Sequence, residues 1–312
     1  IEVVAINDMA DTRTLAHLLK YDSIHGILDA SVEAVEHNGH FLLKINGRDI
    51  MFHNTLDPKE IPWKRYDVDL VVESTGKFKD RTSLEKHILA GAPKVILSVP
   101  PEDDSIKTVV LGVNEHIVHT DDLIISNASC TTNNAAPMIK VVQDLCGIKQ
   151  AYISTVHSYT TDQSLHDQPH RDLRRARAAG QSIVPTTTGA AKALTKIFPD
   201  LAGVIGGCGI RVPVADGSLT DVTLNVSRPT SIEEINEAFR HEASHGLKSI
   251  LEFTDIPLVS VDIIGNTHSC IFDSQMTSVI GNLVKLIGWY DNETGYSARI
   301  IDLISYFCLL TN

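Results

Sequence analysis

The run Ser126-Asn127-Ala128-Ser129-Cys130-Thr131-Thr132-Asn133-Asn134 places a cysteine among small polar residues, after an apolar stretch and before a helical pattern. Backbone N–H groups and the positive end of a helix dipole at such a place lower a thiol's pKa and favour the nucleophilic thiolate. Cys130 is therefore expected to be a nucleophile. Cys146, Cys208, Cys270 and Cys308 lie in apolar or glycine-rich settings, where a free cysteine is ordinary packing. Covalent chemistry at a thiol also needs a proton acceptor for the following step. Among 14 histidines, His157 stands out because it ends the strand-like Thr155-Val156-His157 and precedes Ser158-Tyr159-Thr160.

Two hydroxyl groups of residues are candidates for an anion. Ser129 and Thr131 flank Cys130, and Thr186-Thr187-Thr188-Gly189 opens an alanine-rich helix. Hydroxyls and free N–H groups at a helix start suit a phosphate, although plain capping uses the same residues. Arg211 is a lone cation in a glycine-rich, apolar stretch, where a charge calls for an acid or an anionic ligand. Asp8 ends the first strand pattern. In a dinucleotide-binding unit an acid there accepts from ribose hydroxyls and disfavours a 2′-phosphate. Capping of the following helix is the plain alternative.

These residues need a frame. Up to residue 128 the pattern alternates strands (Val3–Ile6, Val68–Val72, Lys94–Ser98, Thr108–Leu111, Leu123–Ser126) with helices (Asp11–Lys20, Arg81–Ala90), which predicts an α/β unit with a mostly parallel sheet. An insertion from Ile27 to Leu56 carries hairpin signals at His37-Asn38-Gly39-His40 and Asn46-Gly47. Beyond Ser129 a helix is expected over Pro137–Leu145, with Pro137 either opening it or kinking one begun near Thr131. A strand over Ala151–His157 and a long arginine-rich loop to Ser182 follow. Further strands are expected at Leu219–Val226, Val259–Ile263, Cys270–Asp273 and Leu283–Trp289, with helices at Ser231–Ala243 and Thr294–Leu310. That irregular order predicts an α+β domain with a mainly antiparallel sheet.

The chain has 312 residues, enough for about two domains. Its 27 Lys+Arg against 39 Asp+Glu give a formal charge of −12, which argues against nucleic acid or an anionic membrane as partner. No apolar run reaches the roughly 20 residues of a membrane helix. Five scattered cysteines without a CxxC pair argue against disulfides or structural zinc and for a reducing, cytoplasmic setting.

With VAIND, SNASCTTN, TVHSYT, DLRRARAA, SIVPTTTGAA, RVP and WYDNETGYS in this order, the chain resembles the phosphorylating glyceraldehyde-3-phosphate dehydrogenases from end to end. The resemblance implies a Rossmann-type NAD domain over residues 1–128, completed by a C-terminal helix over 293–312, and a catalytic domain over 129–292. It implies that Cys130 attacks the aldehyde, that His157 moves the protons, and that the Cys130 N–H helps hold the oxyanion. Thr160 and Arg211, with Asp162 beside them, resemble the substrate-phosphate site. Ser129, Thr131, Thr188 and Gly189 resemble the inorganic-phosphate site. Asn292 would orient the nicotinamide carboxamide, and Ser74, Thr75, Gly76, Ser98 and Asp8 would make further cofactor contacts. The loop from Ser158 to Ser182, with Arg171, Arg174, Arg175 and Arg177, resembles one that meets cofactor across the interface of a homotetramer.

Two departures stand out: Asn134 replaces a second cysteine, and Gln168 stands where Leu is common beside the adenosine ribose. The glycine-rich phosphate loop should lie about 20 residues before Asp8. That position precedes residue 1, so the first strand and loop are expected to be missing, with weak dinucleotide binding and poor solubility as the expected result. Erythrose-4-phosphate dehydrogenase, a cysteine hydrolase and an inactive fragment are the other readings. The intact Thr186-Thr187-Thr188-Gly189 favours phosphorolysis of glyceraldehyde 3-phosphate.

Overall fold

The computed structural model describes residues 1–37 and 39–310. They form two compact units: residues 1–107, 119–126 and 304 onward make unit 1, and Thr108–Val118 with Asn127–Leu303 make unit 2.

Unit 1 runs β1 (Ala5–Asn7), α1 (Thr12–Lys20), β2 (Tyr21–Asp22), β3 (Gly26–Ile27), β4 (Val32–His37), β5 (His40–Ile45), β6 (Arg48–His53), β7 (Val71–Glu73), α2 (Arg81–Leu89), β8 (Val95–Leu97), β9 (Lys107–Thr108) and β10 (Ile124–Ser126). Asp11 caps α1, accepting from Thr14 N at 2.9 Å, and Asp80 caps α2 through Ser83 N at 2.9 Å. One sheet has the order β1-β6-β5-β4, with β1 parallel to β6 and antiparallel hairpins beyond it. The Asn46-Gly47 turn expected between β5 and β6 has both residues at positive φ, 48° and 79°. The other expected turn includes Asn38, which lies outside the described residues.

The second sheet has the order β7-β8-β10-β9, with β7, β8 and β10 parallel. Leu84 of α2 closes a core there with Val95, Leu97, Ile106 and Ile124. Strands β1 and β7, each at the edge of its sheet, line a cavity of about 800 Å³.

Unit 2 contains α3 (Cys130–Cys146), β11 (Ile148–Ser158), β12 (Val184–Thr186), α4 (Ala190–Ile197), β13 (Ile205–Val212), β14 (Ser218–Val226), α5 (Ile232–Ser244), β15 (Leu251–Thr254), β16 (Cys270–Asp273), β17 (Ser278–Ile280), β18 (Leu283–Tyr290) and most of α6 (Thr294–Leu309). Its sheet runs β12-β13-β11-β14-β18-β16-β15, with β17 on β18, and only the β11–β13 and β15–β16 pairings are parallel. The mainly antiparallel sheet is thus present. Ala135, Met138, Ile139 and Val142 of α3 share one core with Ile153, Val222, Leu224 and Leu286 of the sheet. A Cβ at Gly288 of β18 would come within 2.8 Å of Met138 Sδ, so the glycine lets α3 lie close to the sheet.

Several expectations need correction. Val259–Ile263 is not a strand: Ser260–Ile263 is a 3-10 turn, with Asp262 accepting from Val259 N at 2.9 Å. An Asp three residues into an apolar run turns the chain instead of extending it. Thr108–Leu111 supplies only Thr108 to a strand. Strand β13, missed in the sequence, is the converse case. Its Gly206, Gly207 and Gly209 depress strand propensity, yet a Cβ at Gly207 would stand 2.7 Å from Ile153 O, so the neighbouring backbone requires glycine. Pro137 lies inside α3, which begins at Cys130.

Phe239 of α5 stacks on Phe272 of β16 at 3.7 Å between centroids, both fully buried. Phe239→Ala should lower unfolding free energy by about 3–5 kcal/mol. Denaturant unfolding checks this, and a loss under about 1 kcal/mol would mean that the core closes over the gap.

Candidate active site

Helix and sheet together place Cys130. Ala151 and Ile153 of β11 point into the core beside α3, and alternation along the strand carries Thr155 and His157 to the same face. Helix α3 starts at Cys130, with Ser129 as N-cap accepting from Thr132 N at 3.2 Å. Cys130 Sγ lies 3.4 Å from His157 Nε2. The parallel register of β11 and β13 sets His157 directly beside Arg211. Arg211 Nη1 lies 2.6 Å from His157 Nδ1 and donates to Ser158 O at 2.9 Å. His157 Nδ1 is itself 2.8 Å from Ser158 O. Arg211 only donates and Ser158 O only accepts, so Nδ1 meets one partner of each kind; when its ring proton points to the carbonyl, Nε2 is left as acceptor toward the thiol.

The turn that aims the thiol is tightly held. Ala128 has φ of 57°, in the left-handed region that costs a residue with a Cβ about 1–2 kcal/mol. Tyr296 donates to its carbonyl at 3.1 Å, and Asn133 Nδ2 donates to Asn127 O at 2.8 Å. Asn134, the replacement for a cysteine, donates to Ser269 O and Trp289 O and so pins α3 to the neighbouring strand.

The surroundings of Cys130 work against the expected low pKa. Burial raises it, outweighing the Thr131 N–H bond and the charge of Arg211. His157 is lowered to about 4, first by burial and then by Arg211, against the opposing bond to Ser158 O. Each charge alone is disfavoured, which favours the neutral thiol and imidazole, with the 3.4 Å contact as the path for a proton between them.

The other candidates fall into three groups. Thr131 Oγ1 is 2.9 Å from Tyr290 OH, which is also 2.9 Å from Thr155 Oγ1. Asn292 Oδ1 accepts from Ser158 Oγ at 2.8 Å and Ser218 Oγ at 2.7 Å, which ties it to the residue after His157 and leaves its amide group to donate. Thr160 follows β11, and Thr188 and Gly189 open α4, where Thr188 Oγ1 accepts from Ala190 N. Arg175 links these two segments: it pairs with Asp162 and donates to Thr186 Oγ1 at 2.9 Å. Asp162 is thus the partner of Arg175, and Arg177 pairs with Asp167 at 3.1 Å, so two of the loop's four arginines are held within it.

In unit 1, Asp8, Ser74 and Thr75 line the 800 Å³ cavity, with Phe78 beside them. Asp8 Oδ1 accepts from Ala10 N at 2.8 Å, while the helix cap is Asp11. Gly76 takes φ of 68°, and Ser98 N donates to Glu73 O. Most of the cavity's lining is apolar, from Val3, Val4 and Ile6 around β1 and from Leu70, Val71 and Val72 around β7.

Residues 1–81 match the family model described as the glyceraldehyde 3-phosphate dehydrogenase NAD-binding domain, and residues 129–292 match that of its C-terminal domain. The chain is 47% identical to glyceraldehyde-3-phosphate dehydrogenase 1 of Bacillus cereus, over 98% of this chain and 91% of that protein. Identity is 49% to the Geobacillus stearothermophilus glyceraldehyde-3-phosphate dehydrogenase (98% and 90% covered) and 50% to that of Mycobacterium avium (98% and 89%). The chain belongs to the glyceraldehyde-3-phosphate dehydrogenase family. It is accordingly an NAD-dependent oxidoreductase, of the α/β plus α+β architecture just described. Among the described residues no helix is long and apolar enough to cross a membrane.

Sequence reasoning missed two features of this family member. Tyr290 sits within a motif it used, but only the β14–β18 register, with Ser218 opposite Tyr290, reveals its position among the site hydroxyls. Asp216 and Asp291 form a buried acid pair whose members lie 75 residues apart in sequence. Burial pushes Asp216 up to about 6, and the neighbouring Asp291 and Glu293 add to the shift while Gly217 N opposes it.

Because the folded chain binds this proton more tightly than the unfolded one, Asp216 lowers stability progressively as pH rises from 3.8 to about 6. Asp216→Asn should therefore raise the melting temperature relative to the parent more at pH 7.5 than at pH 4.5. An equal difference at both values would show that Asp216 does not titrate in that window.

Proposed function

We propose that the Cys130–His157 pair converts glyceraldehyde 3-phosphate and inorganic phosphate to 1,3-bisphosphoglycerate. The observation that carries this reading is the 3.4 Å contact between thiol and imidazole at the start of α3, with Arg211 alongside. Transfer of the thiol proton to His157 Nε2 frees the sulfur to add to the aldehyde carbon. The resulting oxyanion takes that proton back from His157 while the Cys130 N–H supports it, giving a hemithioacetal. NAD, when bound, supplies the hydride acceptor. His157 removes the hydroxyl proton as the hydride departs, leaving a thioester on Cys130. Phosphate oxygen then attacks the thioester carbon, the C–S bond breaks, and the leaving sulfur is reprotonated from His157.

The remaining candidates take roles consistent with their placement. Arg211 and Thr160 hold the substrate phosphate; Ser129, Thr131, Thr188 and Gly189 hold the attacking phosphate. Asn292, fixed by Ser158 and Ser218, presents its amide to the nicotinamide. Asp8, Ser74, Thr75, Gly76 and Ser98 contact the rest of the dinucleotide. In this reading residues 1–128 with the C-terminal segment 293–312 serve the cofactor, and 129–292 carry the chemistry, in a cytoplasmic homotetramer. Erythrose 4-phosphate is not favoured as substrate, since the relatives act under the glyceraldehyde-3-phosphate name.

NADH formation from glyceraldehyde 3-phosphate, with phosphate withheld and then added, tests this. Phosphate should convert a single-turnover burst into sustained turnover; equal steady rates in both conditions would remove phosphorolysis. Cys130→Ala should abolish the burst. His157→Asn should cut turnover by about 10²–10⁴-fold. It should also slow alkylation of Cys130 at neutral pH by at least about tenfold, because the thiol then lacks its proton acceptor; unchanged alkylation would separate the two residues.

A further inference from the structure

A buried chain of hydrogen bonds in unit 1 plays no part in this chemistry. Trp63, His87 and Glu73 are 5%, 3% and 3% exposed. They come from three elements: the 3-10 turn Trp63–Tyr66, α2 and the end of β7. Trp63 Nε1 donates to His87 Nδ1 at 3.1 Å. An indole N–H can only donate, so Nδ1 is the acceptor and the imidazole proton resides on Nε2. That proton faces Glu73 Oε2 at 3.0 Å. The other carboxylate oxygen, Oε1, accepts from Thr75 N at 2.7 Å and from the Thr75 hydroxyl.

Every donor and acceptor along this line is matched, and the line ends on one loop residue. Burial pushes the Glu73 carboxyl up, but the bonds from His87 and Thr75 outweigh it and hold the group below its ordinary range. Thr75 is fixed twice, through backbone and side chain, and its hydroxyl in turn accepts from Lys77 N at 3.2 Å. The next residue, Gly76, reverses the chain at positive φ. The Glu73 carbonyl also accepts from Ser98 N at 3.0 Å. A carboxylate serving only to join β7 to α2 would be satisfied by His87; the second oxygen is committed to the turn at the cavity wall.

We propose that Trp63, His87 and Glu73 are positioning residues that hold Thr75, and with it the Ser74-Thr75-Gly76 turn, in the conformation that receives the dinucleotide. The proposal rests on the reading of that turn as a cofactor contact. The relay fixes the turn before the ligand arrives, so that ordering it does not weaken binding.

Glu73→Gln keeps the shape but cannot accept from His87 and Thr75 on two oxygens. Trp63→Phe is milder, removing the donor that fixes the His87 tautomer. Hydrogen exchange of the Thr75 amide in the full, ligand-free protein should accelerate by about tenfold or more in Glu73→Gln, and less in Trp63→Phe. Calorimetric titration should show the NAD dissociation constant rising by about tenfold, the KM for NAD following it, and kcat at saturation staying within about twofold. Parental exchange and parental NAD affinity in both variants would overturn the proposal. So would a fall in kcat in step with a lower melting temperature, which would make the relay a structural staple. Trp63→Phe carries the test if Glu73→Gln does not fold. If the parent binds NAD without slowing exchange at 74–76, the cofactor reading of the turn itself falls and takes the proposal with it, even where the variants loosen Thr75.

Discussion

The packing of α3 on the sheet of unit 2 is the contact from which the site hangs. Ala135, Met138, Ile139 and Val142 are fully buried in one core with Ile153, Val222, Leu224 and Leu286. Removing that much apolar surface from water fixes the helix in depth and direction. Once α3 is seated, its first residue, Cys130, has one place to be. Strand alternation then brings Thr155 and His157 to the same face, and the register of β11 with β13 brings Arg211 beside His157. The same face receives Tyr290 from β18, whose hydroxyl meets both Thr131 and Thr155. Few long-range polar contacts are needed to assemble the site, because the hydrophobic packing has already chosen the register.

Three titratable pairs, two of them buried and the third half-buried at its thiol, show how differently this chain treats charge. Glu73 keeps its charge because its two oxygens accept from three donors. Asp216, beside another acid, holds its proton to a higher pH. Cys130 and His157 lie between these extremes: neither charge is favoured, and a proton can pass between them across one contact. The first arrangement suits a fixed support, and the last suits a pair that exchanges a proton.

Much of the site was legible because its residues lie in short local runs. SNASCTTN and TVHSYT each combine a strand end or helix start with residues of the candidate site, and the capping reading of Ser129 matches its place before α3, whereas the cap of α1 is Asp11 and not Asp8. What stayed hidden depended on distant partners. Strand β13 reads as loop until Ile153 O is seen 2.7 Å from where a Cβ at Gly207 would stand. Val259–Ile263 reads as strand until Asp262 folds back on Val259 N. The low thiol pKa inferred for Cys130 from a helix start omitted burial, which no local pattern reveals. Tyr290 and Asp216 owe their settings to residues more than 70 positions away.

Ala128 holds a left-handed conformation that a residue with a Cβ resists. Its torsional cost is sustained by Tyr296, by the Asn133 bond to Asn127 O and by complete burial. The direction in which the sulfur leaves the backbone is thereby decided as the polypeptide collapses. Orientational freedom at the reacting atom is surrendered once in the lifetime of the molecule, and no encounter with an aldehyde has to surrender it again.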